Sequence, residues 1–311
     1  MKIFCHIPRE NWFCDRYGKE YSEYSENNIS HQDTDSDIIW LLAAWCWNQI
    51  PYEVLKNKKV VCTIHHEVPW KFDQERYENF MIRDSIVDAY HVPCDQTKSF
   101  VEKITSKPVY KIGYWCNNSL WKPSNKKDYY KNLFNLPKDN LVVSSFQRDT
   151  EGSDLVTPKL EKGPDIFCEA VGKLSKERDV HVLLNGWRRQ YVISELKKRN
   201  IPYTYYELPK IEDVAKMYLA TDLYMVCSRV EGGPQSLLEC AASKIPIISS
   251  DMGMSRDILD NECITNDFSN VSGLIDRSIS SIDNNFRNVE KFFIKSHVKK
   301  YDSMFKKIAG E

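Results

Sequence analysis

The chain has 311 residues, 43 Lys+Arg against 44 Asp+Glu, a formal charge of −1 and 42% hydrophobic residues. Residues 1–123 hold 15 basic and 17 acidic side chains, so no basic half recommends a nucleic-acid partner. Glycine is scarce, 11 in all, about half the usual ~7% share, and with no G-x-G and no Gly-Lys-Ser/Thr the dinucleotide fingerprint and the P-loop are excluded.

Residues 1–8 read as a short strand without the apolar stretch of a signal peptide, and the expected location is the cytoplasm. The longest apolar run, residues 38–47, is half of the ~20 residues that a membrane span needs, and it reads as core. Further strand candidates are 60–64, 89–92, 109–112, 141–146, 180–185, 203–207, 223–227 and 245–249. Helical patterns cover 75–87, 96–105, 165–174, 191–199, 211–220 and 236–242, and a charged helix with aromatic anchors spans 284–308. Strands alternating with amphipathic helices give parallel sheets covered on both faces. The pattern runs twice, with residues 113–125 between the sets, so two domains are expected, 1–122 and 123–311. The expected fold class is α/β, two Rossmann-like doubly wound domains facing across a cleft, with ligand at the carboxyl ends of the strands and the C-terminal helix crossing back to the first domain.

Ten cysteines form no C-x-x-C pair and sit largely in apolar runs, the pattern of buried thiols in a reducing compartment. Seven of the eight tryptophans, Trp12, Trp40, Trp45, Trp47, Trp70, Trp115 and Trp121, lie at or before position 121. Their faces suit sugar rings, but Trp40, Trp45 and Trp47 fall in the apolar run and read as core.

The segment 227–253, CSRVEGGPQSLLECAASKIPIISSDMG, is the most informative. A strand ends, a loop carries Glu231, Gly232, Gly233 and Pro234, and a helix begins near Ser236 with Glu239 one turn in. The glycines let backbone amides approach an anion, and the helix start adds positive dipole. Glu231 and Glu239 suit vicinal hydroxyls. Phosphate and sugar diols on one ligand would explain both features.

That segment resembles the retaining glycosyltransferases of family 4, which have the GT-B fold. Glu231 and Glu239 keep the family's Glu-x7-Glu spacing, residues 245–248 supply its Pro-containing strand, and Gly253 its later glycine. The resemblance implies that Glu231 contacts the donor sugar and Glu239 the ribose. A second match places Arg148 and Lys162-Gly163 where the family grips the donor diphosphate. Here 13 residues separate Arg148 from Lys162, more than is usual, and Lys159 competes for the lysine role. A third puts His65, with His66 second, at the strand-end histidine of the first domain, which the resemblance implies is catalytic and lies near the donor sugar and acceptor. The family's glycine-rich loop after the first strand is missing, with residues 8–24 in its place.

The resemblance implies a metal-independent, retaining hexosyltransferase with no cofactor. Its donor is a UDP- or GDP-linked sugar, and its acceptor is a hydroxyl on a glycan or lipid-linked sugar. A lipid-linked acceptor is compatible with a peripheral place at a membrane. Arg148 and Lys162 make a metal unnecessary, so the D-x-D pairs among Asp33, Asp35 and Asp37 read as solvated loop. The alternatives are a non-catalytic nucleotide-sugar or glycan binder and a sugar-nucleotide epimerase on the same scaffold.

Overall fold

The computed structural model describes all residues except 11, 12 and 153, so Trp12 lies outside the described residues. The chain divides into two compact units, Met1–Trp115 with Phe292–Glu311, and Cys116–Lys291.

The first unit is built on a six-stranded sheet in which every pairing is parallel. Its strands are β1 (Lys2–His6), β2 (Asn28–Ile29), β3 (Ile38–Leu41), β4 (Lys59–Thr63), β5 (Ala89–Val92) and β6 (Val109–Lys111), in the order β2-β1-β3-β4-β5-β6. The run 38–47 divides. Ile38–Leu41 are all buried, as a central strand covered on both faces must be, and the chain then turns into a 3-10 segment, Ala44–Gln49. Trp40 is fully buried, but Trp45 is 54% exposed, so the core reading of Trp45 is corrected. It sits past the carboxyl end of β3, where the strand no longer dictates burial.

Residues 13–24, within the segment 8–24, form a helix, Phe13–Tyr24. Its buried stripe of Cys14, Tyr17 and Tyr21 has helical spacing. The Tyr17 ring stacks 3.4 Å from Trp115. The helix expected over 284–308 is interrupted: the chain forms Ile282–Glu290, becomes extended at Phe293, and resumes as Ile294–Ala309. This last helix belongs to the first unit. Tyr301 and Tyr17 share a hydroxyl hydrogen bond of 2.7 Å, and Tyr21 donates to Asp302 Oδ1 at 2.8 Å.

The second unit carries a five-stranded parallel sheet. Its strands are β7 (Leu141–Ser145), β8 (Val180–Asn185), β9 (Tyr203–Tyr206), β10 (Leu223–Val226) and β11 (Ile247–Ser249), in the order β11-β10-β7-β8-β9. Val142, Val143, Val182, Leu183, Leu184, Leu223 and Met225 are buried. Residues of this size contribute roughly 1.5–3 kcal/mol each when buried. All ten cysteines are free thiols and nine are buried.

Candidate active site

In the second unit, three loops leave the carboxyl ends of β7, β8 and β10 close together. After β7, Gln147 donates from Nε2 to the Lys162 carbonyl at 2.8 Å. Arg148 follows, half-buried, and then Asp149. The excess residues between Arg148 and Lys162 form an out-and-back excursion. Thr150 and Pro158 make an antiparallel bridge, Glu151 N donates to Thr157 O at 2.9 Å, and Lys159 N to Asp149 O at 2.8 Å.

That excursion brings Lys159 within electrostatic reach of both Arg148 and Lys162. Lys159 pairs with the buried Glu161 at 2.9 Å. Burial pulls the Lys159 ammonium below the ordinary lysine range, its bond to Glu161 opposes this, and the charges of Arg148 and Lys162 add to the lowering. Lys162 donates to Glu231 Oε1, so the expected phosphate-binding lysine and sugar-binding glutamate touch. Glu231 is buried, with the Ser228 hydroxyl 3.5 Å from the same oxygen.

Two glycines set the backbone. Gly163 has φ +62°, and a Cβ there would lie 1.8 Å from the Cys227 carbonyl oxygen. Its left-handed turn starts the helix Pro164–Leu174 directly against the end of β10. Gly253 has φ +53°, and a Cβ there would fall 2.5 Å from Gly232 O and 2.8 Å from Glu231 O. It is the residue against which the Glu231-Gly232 loop rests.

The loop through buried Gly232 and half-buried Gly233 leads to the helix Gln235–Ala242, whose start at Pro234 has no side-chain cap. Amides there are suited to an anion. Ser236 hydrogen-bonds the Tyr224 side chain, whose hydroxyl also accepts from Phe146 N at 2.9 Å. Glu239 is buried, and its Oε2 accepts from Tyr218 OH at 2.9 Å. Burial drives the Tyr218 hydroxyl pKa well up, and Glu239 drives it further. Phe146, Tyr218 and Tyr224 pack with ring centroids 4.9–5.3 Å apart, tying the β7 loop to this helix. Both glutamates are therefore held inside the fold rather than displayed on a solvated surface.

Residues 158–289, the segment that carries Lys159, Lys162, Glu231 and Glu239, match a family model described as glycosyl transferases group 1. The match covers less than half of the chain and is a likeness to that family over those residues. A curated relative, the O-antigen biosynthesis glycosyltransferase WclY of Escherichia coli, is 28% identical over 54% of this chain and 45% of its own length. The chain thus spans about half the length of the curated relatives it matches. Among solved structures, HepE of Anabaena in complex with UDP and glucose has a TM-score of 0.77, with 10% identity over 98% of this chain and 99% of its own. A glycosyltransferase from Rickettsia africae has a TM-score of 0.73 at 15% identity, covering 99% and 98%. Sucrose-phosphate synthase from Thermosynechococcus elongatus has 0.69 at 16%, covering 97% and 80%. The fold is that of GT-B structures, two parallel-sheet Rossmann-like domains.

The matched segment ends at residue 289, and His65 lies in the other unit. It follows β4, half-buried, with its ring beside Phe13, Trp45 and Tyr114. Its Nε2 is 2.8 Å from the Leu42 carbonyl, which can only accept, so Nε2 carries a proton, and Nδ1 shares a hydrogen bond with Tyr114 OH. Exposed Trp45 lies 6.1 Å away between ring centroids and donates from Nε1 to Glu10 at 3.3 Å. Asp35 pairs with Lys2 at 2.9 Å and Asp37 accepts from Lys2 N at 2.7 Å. Among the described residues no group of three or more His, Cys, Asp or Glu is placed to hold a metal. No helix among them is long and apolar enough to cross a membrane.

Sequence reasoning missed Asp149, Arg189, Tyr218 and Tyr224. Asp149 and Arg189 are 40 residues apart, with no spacing rule to join them. The tyrosines carried a usable signal, since a phenol inside an apolar helix or strand needs a buried partner.

Proposed function

We propose that this chain is a retaining, metal-independent glycosyltransferase of the family 4 type, with the Glu-x7-Glu pair Glu231 and Glu239. It moves a hexose from a UDP- or GDP-linked donor to a hydroxyl on a glycan or lipid-linked acceptor. The observation that carries this reading is the contact of Lys162 with Glu231, beside Arg148 and Lys159. A glycosyl diphosphate presents oxyanions and sugar hydroxyls in immediate succession. A cation cluster ending on a buried carboxylate is complementary to that junction. A relative described as an O-antigen biosynthesis glycosyltransferase and a similar fold solved with UDP and glucose support the donor and acceptor classes.

The chemistry asked of the site is stabilisation of negative charge as the sugar–phosphate bond breaks. Arg148, Lys162 and the amides after Gly233 supply it electrostatically. The acceptor hydroxyl attacks the anomeric carbon from the leaving-group side and passes its proton to the departing phosphate. Glu231 and Glu239 bind hydroxyls. His65, whose ring nitrogens are both hydrogen-bonded within its unit, is the catalytic residue proposed from the first unit.

The test is a panel of nucleotide sugars and acceptors assayed with and without EDTA, with the linkage read by NMR. Transfer with retention, indifferent to EDTA, is expected. Replacing Arg148 with Ala should cost about 3–4 kcal/mol of transition-state stabilisation, a hundred- to thousandfold in rate, with the fold intact by circular dichroism. Wild-type turnover in that variant, an inverted linkage, or donor conversion without acceptor would each refute the reading.

A further inference from the structure

We propose that the buried Asp149–Arg189 ion pair is a positioning device for the diphosphate site, fixing Arg148 and Lys159 from one point of backbone. The inference rests on the donor-binding reading above and adds two residues to it.

Both side chains are 1% exposed. Arg189 Nε donates to Asp149 Oδ2 at 2.8 Å, and its Nη1 donates to the carbonyls of Ser145 and Asn185, the last residues of β7 and β8. Asp149 Oδ1 accepts from Tyr191 N at 3.2 Å, in the first turn of the helix Gln190–Lys198. The backbone of Asp149 is used equally fully: its N–H donates to Arg188 O at 3.0 Å and its carbonyl accepts from Lys159 N at 2.8 Å. Arg148 is joined to this hub by a peptide bond and Lys159 by a hydrogen bond. The remaining cation, Lys162, has its carbonyl held by Gln147, two residues upstream.

Stability alone is a poor reason to bury an ion pair, because desolvation offsets most of the Coulomb attraction. Here the pair lies beyond the ends of the strands, where the sheet no longer fixes the chain. Next to it, burial lowers Lys159, and the charges of Arg148 and Lys162 add to that lowering. Like charges separate unless something holds them, and a preformed oxyanion site requires them to be held before the ligand arrives.

The experiment compares Arg189→Lys, Arg189→Met and Asp149→Asn with Lys131→Met in the full chain. Lys131 forms an ion pair with Asp222 at 2.7 Å with side-chain exposures of 5% and 18%, at the amino ends of β7 and β10. It serves as the structural control. Calorimetric titration with UDP, GDP and inorganic pyrophosphate should show at least tenfold weaker binding in Arg189→Met and Asp149→Asn, equal for nucleotide and pyrophosphate. Partial recovery is expected in Arg189→Lys. Lys131→Met should lower the melting temperature yet bind as the wild type does. If Arg189→Met does not fold, the near-isosteric Asp149→Asn decides. Wild-type affinity in the folded hub variants would overturn the positioning role while leaving the donor-binding reading standing. No binding of either nucleotide by the wild type would overturn both.

Discussion

A methyl group on Gly163 would lie 1.8 Å from the Cys227 carbonyl, in a backbone with φ +62°. Left-handed backbone costs an ordinary residue about 1–2 kcal/mol before any clash. Gly163→Ala should therefore destabilise the second unit by about 2 kcal/mol or more, read as a fall in the urea midpoint. Gly253 is the sharper probe of function. Its Cβ would strike the carbonyls of Gly232 and Glu231, so Gly253→Ala displaces the loop carrying the carboxylate that meets Lys162. A nucleotide-sugar KM raised at least tenfold, with a stability loss comparable to that of Gly163→Ala, is the expected result. An unchanged KM would mean that the Glu231 loop does not touch the donor. Both glycines, and both glutamates, were legible because the requirement is local: a spacing, a strand end, a helix start. The groups that hold them were not. Tyr218 reaches Glu239 from 21 residues away, and Arg189 reaches Asp149 across 40. No period or motif encodes such pairs.

The elements were legible where burial imposes a period. Strands buried on both faces, such as β8, read as continuous apolar runs. The segment that became β3 escaped because its run continued past the strand into the Ala44–Gln49 turn. The helix Phe13–Tyr24 escaped because its core stripe is a cysteine and two tyrosines among charged residues. Those tyrosines find their partners on the helix Ile294–Ala309, at the far end of the chain, where Ile294, Val298, Tyr301 and Phe305 are fully buried. The Phe305 ring lies 5.7 Å from Tyr21 and 5.2 Å from Trp40. Phe305→Ala removes a fully buried anchor and should cost about 3–5 kcal/mol. Proteolysis should then open the first unit while the second resists. Equal susceptibility of both units would show that this helix does not belong to the first unit's core.

On the scale of the whole molecule, stability should depend on pH through histidines that the fold keeps neutral. His91 in β5 is fully buried at the end of a chain of hydrogen bonds. Trp40 Nε1 donates to Thr63 Oγ1 at 2.8 Å, Thr63 meets His91 Nδ1 at 3.0 Å, and His91 Nε2 donates to the Ile112 carbonyl at 2.8 Å. In the neutral ring Nδ1 accepts from the Thr63 hydroxyl, and a second ring proton would force that hydroxyl to turn and donate elsewhere. Burial accordingly pulls its pKa down to about 3, against the opposing bond to Ile112, with His65 and His297 adding to the lowering. Burial also lowers His6 and His181. Between about pH 6.5 and 3 the unfolded chain binds a proton at position 91 that the folded chain refuses, so this contribution is lost as pH falls through that window. At pH 5 the loss from His91 alone is about 2 kcal/mol, at 1.36 kcal/mol per unit. Buried carboxyls that are pushed up, Glu67 and Asp149, act in the opposite sense, since the folded state then holds the extra proton. They soften the slope that the histidines impose. Urea unfolding followed from pH 7 to pH 5 should therefore show falling stability. In His91→Gln, weaker at pH 7 for want of the full hydrogen-bond chain, the same series should be flatter. A variant as steep as the wild type would place the pH dependence elsewhere and show that the His91 pocket accepts the proton.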